Sequence, residues 1–249
     1  MYKVLDLFSG IGGFSLGLER TGGFETVAFC EIDENCRKVL RKHWPKVPIY
    51  NDVRTIENVN ADIICGGYPC QPFSVAGGQK AEKDDRHLWP EMLRVVTQVR
   101  PSWVIAENVY GHIKLGLDNV LHDLEGEGYT ARPIVVPSLA KGANHLRDRV
   151  FIIAYSPSNG RNESEATGGN GKADEYGKER THKNIDNERC SSIWVGMERG
   201  GYKAGARGTK PPEIRVDDGI PGRMDRNRMI GNSVDPRIVT TIGEAILAS

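Results

Sequence analysis

The sequence predicts an α/β fold with a mostly parallel sheet, and two observations lead to this prediction. Short apolar runs typical of buried strands alternate with segments of helical periodicity over the first 155 residues. The most unusual motifs each follow directly after an apolar run, which places them at the carboxyl ends of strands, where such sheets bind ligands. At 249 residues, the chain is long enough for one large domain and a small one.

The predicted elements follow one another closely along the chain. Strands are expected at residues 2–8, 25–30, 61–65, 103–106 and 149–155. Helices are expected at residues 14–20, 33–43, 88–99, 117–127 and 236–247. Asp33 is a candidate N-cap for the second helix, because a short carboxylate can accept backbone N–H bonds where a helix begins.

Composition argues against several classes of protein. The N-terminus has no basic stretch followed by a long apolar run, so no signal peptide is expected, and no apolar window is long enough for a membrane span. The five cysteines are odd in number, which favours reduced thiols in a cytoplasmic protein. No Cys/His pair has the spacing of zinc ligands, so no metal is expected. The formal net charge is zero, so the whole chain carries no basic field that would indicate a nucleic-acid partner.

The composition changes after Tyr155. Residues 156–188 are polar and rich in Gly, Asn, Glu and Lys, which is typical of a linker or a loosely ordered insert. Residues 189–215 carry six Lys or Arg against two acids, with Trp194 and Tyr202 among them. This local positive excess is compatible with binding to a phosphate backbone, although a solvated loop explains the charge equally well.

The first motif, DLFSGIGG at residues 6–13, places glycines between a strand and a helix, where they allow a ligand close to the backbone. Glu31 follows at the end of the second strand, where a carboxylate can hold the hydroxyls of a ribose. These features favour a nucleotide-type cofactor over a bare tight turn, and a nicotinamide dinucleotide is a rival ligand. Asp52 could hydrogen-bond an adenine amino group, but from the residues alone a capping role is the better interpretation.

Cys70 lies in the stretch GGYPCQPFS, between two prolines and after two glycines. Cys30, Cys36 and Cys65 are expected to be buried structural thiols. A core cysteine does not need a loop stiffened by prolines, so Cys70 is the candidate nucleophile. Its thiol would be mostly protonated at neutral pH, so this role needs a lowered pKa or a base on the substrate side. No histidine neighbours it in sequence, so a Cys–His protease pair is not indicated.

Glu107 and Asn108 follow another apolar strand, and in an apolar setting Glu107 is a candidate general acid. The alternative for Glu107 is an N-cap for the next segment. Arg147 and Arg149 share one face if their segment is extended, because side chains alternate along a strand. Two arginines together suit an anion or a substrate carbonyl, and the alternative is a surface ion pair with Asp148.

Taken in order, the motifs DLFSGIGG, FCEID, NDV, GGYPCQPFS, ENV, RDR and GNSV resemble those of the DNA (cytosine-5)-methyltransferase family. The seven motifs occur in the family order and span nearly the whole chain. The resemblance implies a Rossmann-like fold that binds S-adenosyl-L-methionine, with a small target-recognition domain beside it. It also implies transfer of a methyl group to C5 of a cytosine in double-stranded DNA, with S-adenosyl-L-homocysteine as the product.

The same resemblance implies a role for each candidate catalytic residue. Cys70 would be the nucleophile that adds to C6 of cytosine, and Glu107 would contact N3 and the exocyclic amine. Asn108 would hold the loop of Cys70, and Arg147 and Arg149 would steady the base and that loop. The reacting carbon lies inside the duplex stack, so the target cytosine would be flipped out.

Further contacts are implied by the resemblance. Cofactor contacts are assigned to Phe8, Gly10, Gly12, Glu31, Ile32, Asp52, Val53, Gly67, Pro69, Leu88, Asn232, Ser233 and Val234. Substrate contacts are assigned to Gln71, Ser74, Arg199, Lys203 and Arg207.

The implied organisation has three parts. Residues 1–155 would form the catalytic and cofactor-binding domain, residues 156–228 the small target-recognition domain with its polar linker, and residues 229–249 a return to the first domain. The family usually carries a larger recognition domain, so this one is expected to be minimal. Asn144-His145 also replaces the Pro-Gln that often precedes the Arg-x-Arg of the family. We expect a cytoplasmic monomer, with a separate cognate restriction endonuclease as a candidate partner.

Three alternatives stay open at this point. They are a tRNA cytosine-5 methyltransferase of the same fold, a catalytically silent DNA-binding homologue and a nicotinamide-dependent oxidoreductase. Intact Cys70, Glu107, Arg147 and Arg149 argue against the silent homologue. The motifs PCQ and ENV have no role in an oxidoreductase. The sequence does not separate a DNA substrate from an RNA substrate.

Overall fold

The structure of the protein is a computed structural model, and it describes residues 1–69, 88–136, 148–156 and 233–249. The seven strands of these ranges form a single sheet. The strands are β1 (Tyr2–Leu7), β2 (Phe24–Cys30), β3 (Ile49–Tyr50), β4 (Ile63–Gly66), β5 (Trp103–Val109), β6 (Thr130–Val136) and β7 (Arg149–Tyr155).

The strand order in the sheet is β3-β2-β1-β4-β5-β7-β6. The strand pairs β3–β2, β2–β1, β1–β4 and β4–β5 are parallel. Strand β7 is antiparallel to both of its neighbours, β5 and β6. This order is that of a doubly wound nucleotide-binding sheet with one reversed strand inserted between the fifth and sixth positions. The α/β fold and the mostly parallel sheet predicted from the sequence are therefore confirmed.

Helices connect the strands and cover the sheet. They are α1 (Gly13–Glu19), α2 (Glu34–His43), α3 (Trp89–Val99), α4 (His112–Leu115), α5 (Leu117–Gly126) and α6 (Pro236–Leu247), and a 3-10 turn lies at Val53–Thr55. The predicted N-cap of α2 is confirmed, because the Asp33 carboxylate accepts from the backbone N–H groups of Asn35 and Cys36. None of the helices in the described ranges is long and apolar enough to cross a membrane.

The core lies on both faces of the sheet because neighbouring side chains of a strand point in opposite directions. Ile64 and Val104 face one layer, where they belong to a buried cluster with Met92 of α3. Ile63 and Ile105 face the other layer and pack with residues of α1 and α6. These central strands are therefore apolar on both faces, which is why they read as continuous apolar runs in the sequence.

The structure adds two strands and one α-helix to the predicted elements, β3, β6 and α4, and it extends β5. The two-residue β3 and the single-turn α4 are too short to give a periodic signal. Strand β6 alternates between exposed and partly buried residues and contains Pro133, which a strand at the sheet edge tolerates. Strand β5 continues to Val109 instead of ending at Ala106, because its last residues pair with β7. The predicted division at residue 156 stays a prediction, since residues 157–232 lie outside the described ranges.

Candidate active site

The turn after β1 adopts backbone conformations that most residues avoid. Phe8, Gly10 and Gly12 have φ angles of 53°, 55° and 85°. A Cβ atom at Gly12 would lie 2.7 Å from the indole ring of Trp44, so the turn is also closely packed from behind. A backbone held in this way at the carboxyl end of a strand can present peptide groups to a ligand. The cofactor contacts assigned to Phe8, Gly10 and Gly12 stay predictions.

Glu31 braces this turn from the neighbouring strand. Its Oε2 atom accepts from the backbone N–H of Gly10 at 2.7 Å, and its Oε1 atom accepts from the backbone N–H of Asp33 at 2.7 Å. The side chain of the next residue, Ile32, is 79% exposed. Each carboxylate oxygen of Glu31 has a second lone pair, so it can still accept a hydrogen bond from a ribose hydroxyl.

Asp52 and Val53 lie at the neighbouring end of β3. The Asp52 side chain caps the 3-10 turn by accepting from the backbone N–H of Arg54 at 2.9 Å, so the capping interpretation is observed. Val53 is buried in the core, next to Ile56. The adenine contact of Asp52 stays a prediction.

Asp6 is a buried carboxylate beneath the glycine turn. Its Oδ2 atom accepts from the hydroxyl of Ser15 at 2.8 Å and from the backbone N–H of Ser15 at 3.2 Å. Its Oδ1 atom has no hydrogen-bond partner within the described ranges. Burial raises the pKa of Asp6 to about 7, and the hydrogen bonds from Ser15 oppose this rise. Asp6 therefore holds the first turn of α1 against the end of β1.

Glu107 and Arg149 form an ion pair across two neighbouring strands. The Nε atom of Arg149 donates to Oε1 of Glu107 at 2.7 Å, and the two side chains are 20% and 12% exposed. Asp148 contributes its backbone carbonyl to Arg149, at 3.1 Å, so the alternative of an ion pair with Asp148 is not observed for Arg149. For Arg147, which lies outside the described residues, that alternative stays untested. A Cβ atom at Gly67 would lie 2.9 Å from Oε2 of Glu107, so only glycine fits here without displacing the carboxylate.

Asn108 joins β5 to the segment that leads to Cys70. Its Nδ2 atom donates to the backbone carbonyl of Tyr68 at 3.2 Å, and its Oδ1 atom accepts from the backbone N–H of Val109 at 2.8 Å. The side chain is buried, so these partners replace water for both ends of the amide. Asn108 thereby fixes the backbone two residues before Cys70.

A cavity of about 320 Å³ connects the two halves of the site. The glycine turn lines one side of it with Ile11 and Gly12, and the Glu107–Arg149 pair lines another. Ser233 and Val234, at the start of the C-terminal segment, complete its wall. The structure thus brings residues from four separate motifs of the sequence around one volume.

Comparison with known proteins identifies the family of the chain. The family model described as C-5 cytosine-specific DNA methylase matches residues 2–200. The chain belongs to this family. Among curated relatives, Type II methyltransferase M.HgiCII of Herpetosiphon aurantiacus is 40% identical over an alignment of 161 residues that covers 61% of this chain and 37% of the relative. M2.BsuMI of Bacillus subtilis is 34% identical over 165 residues, which are 61% of this chain and 41% of the relative.

The chain thus spans about two fifths of the length of these two curated relatives. A solved structure described as a putative DNA modification methyltransferase encoded within a prophage of E. coli is 31% identical, with a TM-score of 0.54 over 64% of this chain and 47% of that one. The Entamoeba histolytica methyltransferase EhMeth is 16% identical, with a TM-score of 0.63 over 100% of this chain and 98% of that one, and supports the fold alone.

Several residues that the family resemblance singled out lie outside the described ranges. They are Cys70, Gln71, Ser74, Arg147, Arg199, Lys203, Arg207 and Asn232. Pro69 is the last described residue before this gap and is exposed, and Leu88, the first after it, packs against the core. Their assigned roles stay predictions.

The cysteines within the described ranges behave as expected of structural thiols. Cys30, Cys36 and Cys65 are free and buried. Burial raises the pKa of the Cys30 thiol to about 12 and that of Cys65 well above its ordinary value. Neither is suited to act as a nucleophile, because the reactive form of cysteine is the thiolate.

Sequence reasoning assigned no role to two features of this site. Asp6 is the first residue of the motif at residues 6–13, and a charged residue inside an apolar strand is the signal that could have indicated its buried role. The buried contact between Tyr68 and His112, 2.7 Å from Oη to Nε2, had no signal in the spacing of the residues.

Proposed function

We propose that the protein transfers a methyl group from S-adenosyl-L-methionine to C5 of a flipped-out cytosine in duplex DNA, through a covalent bond between Cys70 and C6. One observation carries the proposal. The glycine turn braced by Glu31 and the Glu107–Arg149 pair belong to one edge of the sheet, and the cavity of about 320 Å³ touches both the turn and the pair. A methyl donor and a methyl acceptor need such a shared volume.

The residues on the donor side suit S-adenosyl-L-methionine. Glu31 offers carboxylate lone pairs to the ribose hydroxyls, and the exposed side chain of Ile32 offers an apolar surface to the adenine. The turn at Gly10 and Gly12 leaves room for the methionine part beside Val234. When bound, S-adenosyl-L-methionine supplies an electrophilic methyl group.

The residues on the acceptor side suit an extruded cytosine. The Cys70 thiolate attacks C6 and forms the S–C6 bond, while Glu107 delivers a proton to N3 and accepts from the exocyclic amine. Arg149 holds the Glu107 side chain and, with Arg147, steadies the base. The addition makes C5 electron-rich, so that C5 takes the methyl group.

Elimination then restores the aromatic ring. A base removes the C5 proton, the S–C6 bond breaks, Cys70 leaves as a thiolate, and N3 returns its proton. Asn108 keeps the chain before Cys70 in place through both steps, by its bond to the carbonyl of Tyr68. The base must leave the stack for these steps, and the energy of unstacking amounts to a few kcal/mol.

Contacts to DNA outside the flipped base are part of the same proposal. Arg199, Lys203 and Arg207 are assigned to the phosphate backbone because of the local positive excess in residues 189–215. The relatives whose names include Type II methyltransferase motivate a separate cognate nuclease as partner. We propose that the protein acts as a monomer in the cytoplasm.

The test is methyl transfer from labelled S-adenosyl-L-methionine to a mixed-sequence DNA duplex, with wild type and Cys70→Ala compared. Label at cytosine C5 with wild type only would support the reaction and the nucleophile, and mapping the label would give the target sequence. Transfer by Cys70→Ala at the wild-type rate would overturn the covalent mechanism. Label on tRNA but not on duplex DNA would replace the proposed substrate, and no label on either by folded, cofactor-binding protein would indicate a silent homologue.

A further inference from the structure

Tyr68 and His112 form a hydrogen bond inside the core. The phenol oxygen of Tyr68 lies 2.7 Å from Nε2 of His112, and the two ring centroids are 5.4 Å apart at an interplanar angle of 79°. Both residues are buried, with exposed fractions of 4% and 7%. A buried bond between two side chains restricts both of them, because a hydrogen bond lost in the core is more costly than one lost at the surface.

Packing alone does not explain the tyrosine. The Tyr68 ring lies in the apolar cluster with Met92 and Val104, where a phenylalanine would bury the same ring surface. The His112 ring occupies space left by Gly116, because a Cβ atom at position 116 would lie 3.0 Å from Cε1 of His112. The local sequence therefore accommodates a polar pair in a place where an apolar pair would pack more simply.

The position of Tyr68 in the chain gives the pair its significance. Tyr68 precedes Cys70 by two residues, and its ring centroid lies 5.1 Å from that of Trp89, the first residue of α3. Trp89 is itself held by a bond of 2.8 Å from its Nε1 atom to Oδ2 of Asp123. Tyr68, one residue before Pro69, and Trp89, one residue after Leu88, thus contact each other.

Two bonds reach Tyr68, one from the end of β5 and one from the start of α4. His112 holds the end of its side chain, and Asn108 donates to its backbone carbonyl at 3.2 Å. With the bond to its carbonyl alone, Tyr68 could still change the orientation of its side chain relative to its backbone. The second bond, to its phenol, removes that freedom. The position from which Pro69 and Cys70 continue is therefore set by residues 108–112.

We propose that Tyr68 and His112 are positioning residues for the methyl transfer, which fix the backbone that leads to the nucleophile. The inference rests on the proposed function. Neither residue touches the reacting atoms, and both act through the placement of Cys70. Displacement of a reacting group by about 1 Å can reduce the rate by about 10²-fold, so a lost constraint two residues away affects the chemistry more than the fold.

The test compares Tyr68→Phe with Tyr129→Phe. Tyr129 is a matched control because its phenol is also buried, also makes a bond of 2.7 Å, to the carbonyl of Pro101, and also belongs to this apolar cluster. Each variant keeps its ring and loses one buried hydrogen bond. The loss of stability should be similar in the two variants, because each loses one buried hydrogen bond of the same length.

The readout is the rate of covalent complex formation with a mixed-sequence duplex in which 5-fluorocytosine replaces cytosine, in the presence of S-adenosyl-L-methionine. Fluorine at C5 cannot leave as a proton does, so the S–C6 bond persists. We expect Tyr68→Phe to form the complex about tenfold more slowly, with an unchanged Kd for the cofactor and an unchanged KM for DNA. Tyr129→Phe should react at the wild-type rate.

A second pair of variants separates position from packing. His112→Gln keeps a polar partner for the Tyr68 phenol and should recover most of the rate, whereas His112→Leu should react as slowly as Tyr68→Phe. A wild-type rate in Tyr68→Phe, or an equal slowing in Tyr129→Phe, would overturn the inference. Absence of the complex with wild-type protein, or its presence with Cys70→Ala, would instead overturn the covalent mechanism and the inference with it.

Discussion

Arg149 donates to Glu107 at 2.7 Å because the two residues lie on neighbouring antiparallel strands, β7 and β5. The register of these strands pairs Val109 with Arg149 and Glu107 with Phe151, so the arginine side chain reaches back along β5 by two residues. The contact therefore depends on a backbone ladder and not on a flexible loop. Several expected outcomes of mutation follow from this and related contacts.

Removing the charge of Arg149 should impair catalysis more than folding. Arg149→Gln removes a positive charge from beside Glu107, and we expect methyl transfer to fall by about 10²-fold, because positioned charges at a reacting group are worth that much. Arg149→Lys should recover part of the loss. Arg100→Gln is the control, since it breaks an exposed ion pair of equal length, 2.7 Å to Glu127, and should leave the rate unchanged. Equal rates for Arg149→Gln and wild type would contradict the role.

Glu31 should determine affinity for the cofactor. In Glu31→Gln one side-chain oxygen becomes an amide nitrogen that faces a backbone N–H, of Gly10 or Asp33, so the turn and the ribose contact are both weakened. We expect the Kd for S-adenosyl-L-methionine, measured by calorimetry, to rise at least about tenfold. Glu19→Gln alters a carboxylate that also accepts two N–H bonds, from Thr26 and Trp44, and should leave the Kd near the wild-type value. An unchanged Kd in Glu31→Gln would refute the assignment.

Gly67→Ala should disturb Glu107 directly. The new methyl group would lie 2.9 Å from Oε2 of Glu107, so the carboxylate must move. We expect kcat to fall by about tenfold or more with little change in the affinity for the cofactor. Gly126→Ala, where the added methyl meets no atom within 4 Å, is the matched control and should be neutral or slightly stabilising. Wild-type kcat in Gly67→Ala would show that Glu107 can shift freely.

Asp6 should make stability depend on pH. The pKa of Asp6 is about 7 in the folded protein, whereas the ordinary pKa of an aspartate side chain is 3.8. Between pH 3.8 and about pH 7, Asp6 is protonated in the folded state and ionised in the unfolded state. The contribution of Asp6 to stability is therefore fully present below about pH 4 and is lost as the pH rises to about 7. The effect is at most about 4 kcal/mol, at about 1.4 kcal/mol per pH unit.

Asp6→Asn isolates this effect, because it cannot ionise and all other groups are shared with wild type. The difference in unfolding free energy between the variant and wild type, from urea titrations, should shift in favour of the variant between about pH 5 and about pH 8. The same difference at both pH values would mean that Asp6 does not titrate in this range.

The sequence predicted the central strands and the edge of the sheet where the site lies. It did not predict contacts between side chains that are distant along the chain. Strands β1, β4 and β5 are apolar on both faces, so they are visible as continuous runs, whereas β6 at the edge alternates and contains Pro133. Motifs that follow strands were expected to meet at one edge, and the cavity between the glycine turn and Glu107 agrees.

Contacts between distant motifs could not be predicted in the same way. The Glu107–Arg149 pair requires β7 to run antiparallel beside β5, and local apolarity carries no information on strand direction. The role of Asp6 depends on its complete burial, and the Tyr68–His112 bond depends on where a one-turn helix places its first residue. Such features depend on tertiary packing, which neither the local propensity of a segment nor the spacing of its motifs determines.

The reversed strand has a consequence for what the connection between β5 and β7 must supply. Because the ladder between these strands sets the spacing of Glu107 and Arg149, the placement of the pair comes from strand pairing and not from the chain that joins the strands. Likewise, the glycine turn and Glu31 belong to strands on the other side of β4. The sheet thus serves as the scaffold for both groups of residues.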